Sequence, residues 1–266
     1  MKLAFIGGGN MARALLGGLL REGAAPGDLS VGEPLPAARE ALQRDFAVRV
    51  TGDNAAAVAG AVAVVLAVKP QEMAAVLKAL RPSLATPLPL LVSIAAGVRT
   101  RDIAAWCEGA SVVRAMPNRP ALVGAGATAL YASGDVDAAG RSLAEQILRA
   151  AGRTVWVREE AELDIVTALS GSGPAYFLLL AEELANGAIA LGLEPATARL
   201  LAAQTLYGTG MLAQSEPDLA AQRAAVTSKG GTTAAALASF AAQDFAGLVH
   251  RALKAAADRS AELGRN

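Results

Sequence analysis

The residues best suited to chemistry lie in positions 226–233, Val-Thr-Ser-Lys-Gly-Gly-Thr-Thr. Ser228, Thr232 and Thr233 crowd around Gly230 and Gly231, and the apolar helical pattern Ala-Ala-Ala-Leu-Ala-Ser-Phe follows at once. Paired glycines reach backbone conformations closed to other residues. Thr232 or Thr233 has the side chain of a helix cap. Such a loop aims free N–H groups and hydroxyls at one point, at the positive end of a helix. That arrangement suits an anion, most simply a carboxylate or a phosphate. On these residues alone, an ordinary capped turn between two helices is the competing reading.

A second glycine loop, far earlier in the chain, favours the site. The apolar run 2–6 leads into Gly7-Gly8-Gly9-Asn10-Met11-Ala12, and a helical pattern through Leu15, Leu16, Leu19 and Leu20 follows. This is the strand, glycine turn and helix of a dinucleotide-binding unit, with Ala12 in place of the third glycine. Glycines let the backbone approach a pyrophosphate, and the helix N-terminus faces its charge.

The elements that must position these loops follow in order. Residues 29–32 read as the second strand, with Glu33 at its end. An acid there receives the ribose hydroxyls of NAD, unless it is a solvated loop acid. Residues 37–46 read as a helix, and Asp53-Asn54 caps a short helical stretch. Residues 61–68 form a run of small and β-branched residues, typical of a strand buried on both faces. Pro70 stops that strand and opens a helix. Ligands on such sheets bind at the carboxyl ends of strands, so Ala67, Val68, Lys69 and Pro70 form a cofactor edge. Residues 88–94 give another strand, ending in Ala95-Ala96-Gly97, where small side chains leave room for a flat ring or simply make a tight turn. Residues 111–116 make a further strand, closed by Pro117-Asn118-Arg119-Pro120. Residues 126–131 and 154–157 complete the sheet around one helix.

After Glu159 the strand patterns stop. Helical stretches cover 161–169, 175–191, 196–213, 233–240 and 245–263, with breaks at 171–174, 192–195, 215–217 and the loop of 226–233. The fold class is therefore α/β. A Rossmann-type dinucleotide-binding domain spans 1–159, and an all-α dimerisation domain spans 160–266. The later helices are rich in Ala and Leu and poor in charge. A helix with little polar face is usually buried. Five such helices cannot bury that surface in one monomer, so a homodimer, or a larger oligomer built from dimers, is expected.

Composition narrows the chemistry. Among 266 residues, 53% are hydrophobic and 18% charged, with a formal net charge of zero. That balance argues against nucleic acid or an anionic membrane as partner. The single cysteine, Cys107, fits a reducing compartment. The single histidine, His250, excludes chemistry that needs two histidines or a Cys/His metal cluster, so no metal is expected. The N-terminal apolar run breaks into glycines, Asn10 and Arg13 too early for a signal peptide. No window is read as a membrane span; residues 174–193 come closest, interrupted by Glu182, Glu183 and Asn186. A soluble, cytoplasmic protein is expected.

Along essentially its whole length the chain resembles the bacterial pyrroline-5-carboxylate reductases. The resemblance rests on Phe5 to Ala12, Ala67-Val68-Lys69-Pro70, Ser-Ile-Ala-Ala-Gly-Val at 93–98 and Met116-Pro117-Asn118. Leu-Ser-Gly-Ser-Gly-Pro-Ala-Tyr at 169–176 and the loop of 226–233 complete the set. The last two together are specific to that family. The resemblance implies hydride transfer from NADPH or NADH to the C=N carbon of 1-pyrroline-5-carboxylate, a small-molecule substrate, to give L-proline. It implies cofactor contacts at Ile6, Gly7, Gly8, Gly9, Asn10 and Met11, at Asn54, at Ala67, Val68, Lys69 and Pro70, and at Ala95, Ala96 and Gly97. It implies that Ser228, Gly230, Gly231, Thr232 and Thr233 hold the substrate carboxylate. It further implies that Thr233 lies near the ring nitrogen, as proton donor or orienting group, with Glu216 close by and Glu160 as a weaker contact. The resemblance also implies an active site that draws on two chains.

Two residues depart from that family's habit. Lys229 stands where proline is common, and Arg119 where threonine is. Glu33 accepts hydrogen bonds from both ribose hydroxyls of NADH and repels the 2′-phosphate of NADPH, which leans the reading towards NADH. Arg39 is close enough in sequence to swing in and offset that repulsion. Two rivals remain. A β-hydroxyacid-type dehydrogenase relies on a lysine in its helical domain, yet residues 161–213 contain none. A non-enzymatic NAD(P)-binding sensor needs no second anion cradle.

Overall fold

The computed structural model describes residues 1–216 and 218–264. Short apolar runs bounded by glycine or proline make the strands, and longer patterns make the helices. The order is β1 (Leu3–Ile6), α1 (Asn10–Arg21), β2 (Leu29–Gly32), α2 (Pro36–Phe46), β3 (Arg49–Thr51), α3 (Asn54–Val58) and β4 (Ala63–Leu66). Then come α4 (Pro70–Leu80), β5 (Leu90–Ser93), α5 (Thr100–Trp106), β6 (Val112–Met116), β7 (Gly126–Ala132), α6 (Ala138–Arg149) and β8 (Gly152–Trp156). The helical remainder is α7 (Glu162–Val166), a π-helical turn Thr167–Gly171, α8 (Gly173–Ala190), α9 (Pro195–Ser215), α10 (Leu219–Ala225), α11 (Thr232–Ala242) and α12 (Phe245–Leu263).

The strands form one sheet in the order β3-β2-β1-β4-β5-β6-β7-β8. All neighbours run parallel except β6 and β7. Both faces are covered. Leu3 and Phe5 of β1 pack with Leu15, Leu16 and Leu19 of α1 on one side. Ala4 and Ile6 pack with Met73 and Leu77 of α4 on the other. A strand covered on both faces needs no polar alternation, which is why these runs are uniformly apolar. β1 lies between β2 and β4, so the winding reverses beside it. The crevice at that reversal is the usual ligand position in such sheets.

Several elements differ from the sequence expectation. β3 was not expected: it is three residues long and includes exposed Arg49. α10 was not expected either. It is Ala-rich with no apolar stripe, and the Asp218 carboxylate caps it by accepting from the N–H groups of Ala220 and Ala221, both at 3.0 Å. The break expected at 171–174 is a π-turn that runs into α8. Pro174 sits in the first helical turn, where its missing N–H costs no internal bond. A Cβ on Gly171 would fall 2.7 Å from the Met116 side chain, so glycine lets this turn close on the end of β6. The helical run Glu162–Ala190 is long and apolar enough to cross a membrane by length and composition, contrary to the expectation for any window. The core helix of a soluble protein passes the same test.

The chain forms two compact units. One holds Met1–Ser172 with the residues from Ala256 onward, and the other holds Gly173–Ala255. The division expected from the sequence lay between residues 159 and 160. In the helical unit α8 packs along α9, and few of their side chains are buried.

Candidate functional site

The first loop is shaped by close backbone approach. Gly7 has φ +97°, and its N–H donates to the Gly32 carbonyl at 2.8 Å. A Cβ there would lie 2.6 Å from the Ala67 carbonyl oxygen. Gly7 is thus held between the ends of β2 and β4. Ile6 is buried in β1, and its carbonyl accepts from Ala67 N–H at 2.8 Å. The Gly8 N–H donates to Glu33 Oε2 at 2.9 Å. Gly9 is the N-cap of α1 and makes no side-chain cap bond, and nothing lies within 4 Å of where its Cβ would be. The first turn of α1, with Asn10 and Met11, therefore opens onto free space with its N–H groups uncapped. Those groups, and a cradle that any Cβ would fill, fit a dinucleotide pyrophosphate.

The ends of β2 and α3 shape the neighbouring corner. The Glu33 side chain is buried although charged. Oε2 accepts from Gly8, and Oε1 accepts from the Leu35 N–H at 3.0 Å. A carboxylate has about four acceptor positions, so room remains for sugar hydroxyls. A Cβ on Gly32 would collide with Asn54 Oδ1, so glycine lets the Asn54 amide reach this corner. Arg39 is not free to swing in. Its Nη1 donates to the carbonyls of Glu33 and Pro34, at 2.9 and 2.7 Å.

Along the sheet edge, Ala67 and Val68 are half-buried, and Lys69 and Pro70 are exposed at the start of α4. Ala95 is buried, Ala96 exposed, and Gly97 has φ +78°. Behind Gly97 lies a network of charges. Arg99 Nη2 donates to Asp164 Oδ2 at 2.7 Å, and Ser260 Oγ donates to Asp164 Oδ1 at 2.8 Å. Thr100 donates from N–H and Oγ1 to the two oxygens of Glu160, at 2.8 and 3.0 Å. Arg114 Nη1 donates to Glu160 Oε1 at 3.1 Å. Burial pushes the Arg114 pKa down, and the Glu160 carboxylate partly offsets that. Glu160, expected as a weaker substrate contact, has its oxygens bonded to Thr100 and Arg114. Its partners lie 60 and 46 residues away, a separation no local pattern reveals.

Two cavities flank α1. One of about 220 Å³ is lined by Asn10, Met11, Pro117, Asn118, Arg119 and Gly171, against the glycine loop. Asn118 builds its wall, donating from Nδ2 to the Ser170 carbonyl at 3.0 Å and accepting at Oδ1 from Ala127 N–H at 2.9 Å. The sequence showed Asn118 and Arg119 only as parts of a motif; their closeness to the glycine loop is a tertiary fact. A larger cavity of about 560 Å³ meets the first at Leu122 and extends beside Arg21, Arg149 and Arg153. Arg21 and Arg149 sit in the last turns of α1 and α6, where a cation complements the helix dipole.

The second loop lies in the helical unit. Neither threonine caps the helix as expected: Gly231 is the N-cap of α11, with no side-chain cap bond, and Thr232 and Thr233 are its first residues. Their hydroxyls and the first-turn N–H groups are left for a ligand. Gly230 has φ +74°, Gly231 N–H donates to the Ser228 carbonyl at 3.1 Å, and the Ser228 hydroxyl lies where a Gly231 Cβ would be. Lys229 is exposed, without a partner among the described residues. Glu216 is the C-cap of α9; its carbonyl accepts from Gln222 Nε2, and its carboxylate has no partner among the described residues. Pro217 lies outside the described residues. Among the described residues no group of three or more His, Cys, Asp or Glu side chains could hold a metal. Cys107 is buried, and burial pushes its thiol pKa up, which disfavours the thiolate.

Known proteins resemble this chain along its whole length. Residues 160–263 match the family described as pyrroline-5-carboxylate reductase dimerisation, and residues 2–97 match one described as NADP oxidoreductase, coenzyme F420-dependent. The chain is 47% identical over 264 residues to a pyrroline-5-carboxylate reductase of Pseudomonas aeruginosa, covering 98% of this chain and 96% of that protein. The solved structure of a pyrroline-5-carboxylate reductase from Coxiella burnetii is 39% identical. It superposes with a TM-score of 0.95, over 100% of this chain and 99% of that one. A Plasmodium falciparum pyrroline carboxylate reductase, solved with NADP bound, is 27% identical with a TM-score of 0.84, over 99% and 98% of the two chains.

Proposed function

The chain belongs to the pyrroline-5-carboxylate reductase family, and from that premise we propose how its residues reduce 1-pyrroline-5-carboxylate to L-proline with NAD(P)H. The observation that carries the reading is the pair of glycine loops, each opening a helix whose first turn has no side-chain cap. One suits a pyrophosphate and the other a carboxylate. Bound NAD(P)H supplies the hydride that converts C=N to CH–NH. Gly7, Gly8, Gly9, Asn10 and Met11 hold its pyrophosphate, and Glu33 and Asn54 orient its adenosine ribose. Ala67, Val68, Lys69 and Pro70, with Ala95, Ala96 and Gly97, line the edge for the rest of it.

Ser228, Gly230, Gly231, Thr232 and Thr233 bind the substrate carboxylate, and Lys229 adds positive charge beside it. Thr233 Oγ1 donates a hydrogen bond to the imine nitrogen as that atom takes up its proton. Glu216 supplies an acid near the ring. None of this needs a histidine or a metal. Most of the rate comes from holding the ring in register with the hydride donor, since good orientation is worth several kcal/mol (about 7–11 at best). The protein works as a homodimer or a larger assembly of dimers, in the cytoplasm. Residues 1–159 act as cofactor domain and 160–266 as substrate and dimerisation domain.

Purified protein oxidises NADH or NADPH only when pyrroline-5-carboxylate is supplied, followed by the absorbance of the reduced nicotinamide. Folded protein that turns over neither cofactor overturns the assignment.

A further inference from the structure

We propose that Asp164 is a positioning residue: by joining Arg99 to Ser260 it clasps the end of α12 onto the Ala95–Gly97 edge and sets the affinity for the cofactor. The inference rests on reading that edge as part of the cofactor site.

The upstream side of this edge is tied to the sheet, with Ile94 N–H donating to the Leu66 carbonyl at 3.2 Å and Ala95 N–H to Ser93 Oγ at 3.4 Å. The downstream side is tied by side chains. Arg99 is the N-cap of α5, two positions beyond Gly97, and its guanidinium reaches Asp164 at 2.7 Å. Asp164 is 6% exposed. Each of its oxygens is occupied, Oδ2 by Arg99 and Oδ1 by the buried Ser260 hydroxyl at 2.8 Å. Ser260 stands in the last turn of α12, and the chain beyond it lies directly on the loop. A Cβ on Gly97 would fall 3.3 Å from the Leu263 carbonyl oxygen. A Cβ on Gly264 would fall 3.3 Å from the Gly97 carbonyl oxygen and 3.1 Å from Arg99 Nε. Gly97 thus sits under Leu263 and Gly264, with φ +78°, a conformation that favours glycine.

The charges around the clasp balance. Arg99 and Arg114 face Asp164 and Glu160, and Arg99 disfavours the charged form of Arg114 while Asp164 favours it. Buried ion pairs are poor stabilisers compared with apolar packing, but they fix geometry through directed hydrogen bonds. Here the fixed element is a loop of small residues: Ala95 packs into the core, whereas Ala96 is exposed and Gly97 has no side chain to anchor it. Neither Asp164 nor Ser260 belongs to the reacting groups, so their action runs through Arg99 and the tail.

The test uses full-length protein with Ser260→Ala, Ser260→Thr and Asp164→Asn. Three quantities are measured: amide hydrogen exchange at residues 95–97 without cofactor, the Kd of NADH by fluorescence titration, and the kcat and KM of the imine. Ser260→Ala is expected to speed exchange at 95–97 and weaken NADH about fivefold, the scale of one hydrogen bond. The kcat at saturating NADH and the imine KM should stay within about twofold, and Ser260→Thr should recover both exchange and Kd. Asp164→Asn should weaken NADH at least tenfold, because it removes the ion pair as well. If Ser260→Ala and Asp164→Asn lower the melting temperature while exchange and Kd stay at wild-type values, the clasp is only a staple of the fold and the proposal fails. Wild-type protein that binds neither NADH nor NADPH overturns the cofactor reading instead, an outcome separate from the exchange result.

Discussion

The two units of this chain solve burial differently. In the cofactor unit, Phe5, Ile6, Leu16 and Leu66 are each 0% exposed, and both sheet faces are covered by the chain's own helices. In the helical unit, Leu191 is 92% exposed, Leu200 66%, Tyr207 63% and Phe177 62%. Helices apolar all round belong in an interior. The cofactor unit is complete within one chain, whereas the helical unit has only part of an interior. Its match to a dimerisation family indicates that the chain forms homo-oligomers, and this exposed apolar surface is what such assembly would use. A single chain therefore carries one unit with a buried core and one whose apolar side chains stay largely exposed.

The largest effect should come from breaking the unfinished unit. Phe177→Glu with Leu200→Glu places charges where apolar side chains are buried on assembly, and burying an unpaired charge costs several kcal/mol or more. Sedimentation should show dissociation at micromolar concentration together with lost turnover. A doubly substituted chain that sediments as wild type would erase the contrast between the units.

Within the finished unit, Gly7 and Gly9 should separate folding from binding. Gly7→Ala forces a side chain onto φ +97° and against the Ala67 carbonyl, so both the melting temperature and NADH binding should fall sharply. Gly9→Ala meets nothing in the protein, so the fold should survive while NADH binds at least about tenfold more weakly, its pyrophosphate place being taken. Equal melting losses in both variants would mean the open space at Gly9 is not a binding cradle.

Thr233 sharpens the comparison from the other side. Thr233→Val should lower kcat about a hundredfold, the usual scale for a positioned proton donor, with the NADH Kd unchanged. If turnover is unaffected, the proton comes from water.

The smallest effect concerns cofactor choice. Glu33→Ser removes a carboxylate that repels a 2′-phosphate, an interaction of about a few kcal/mol at most before screening. The ratio of kcat/KM values should move several-fold towards NADPH, with the imine KM unchanged. The shift should be modest, because the same change frees the Gly8 and Leu35 N–H groups that Glu33 now holds. A wild type that strongly prefers NADPH, with no response to this substitution, would mean Glu33 does not read the ribose.

Much of this protein is legible from the chain alone, for local reasons. The apolar runs of β1, β4 and β5 announce strands, β4 as one buried on both faces, and Gly7-Gly8-Gly9 between strand and helix announces the loop. Glu33 follows β2 directly, so its place at the strand end is a matter of counting. What the chain hides depends on contacts made across distance. The partners of Asp164 lie 65 and 96 residues away, so neither Arg99 nor Ser260 signals its role. Arg39 looks free to meet a phosphate until the backbone carbonyls of Glu33 and Pro34 are seen to hold it. Thr232 looks like a cap until Gly231 takes that position and leaves the hydroxyls open. Periodicity and glycine placement are properties of neighbouring residues, and the sequence carries them in full. Which carboxylate holds a backbone N–H and which holds an arginine is decided only when the sheet brings separate segments within about 3 Å, the range of a hydrogen bond.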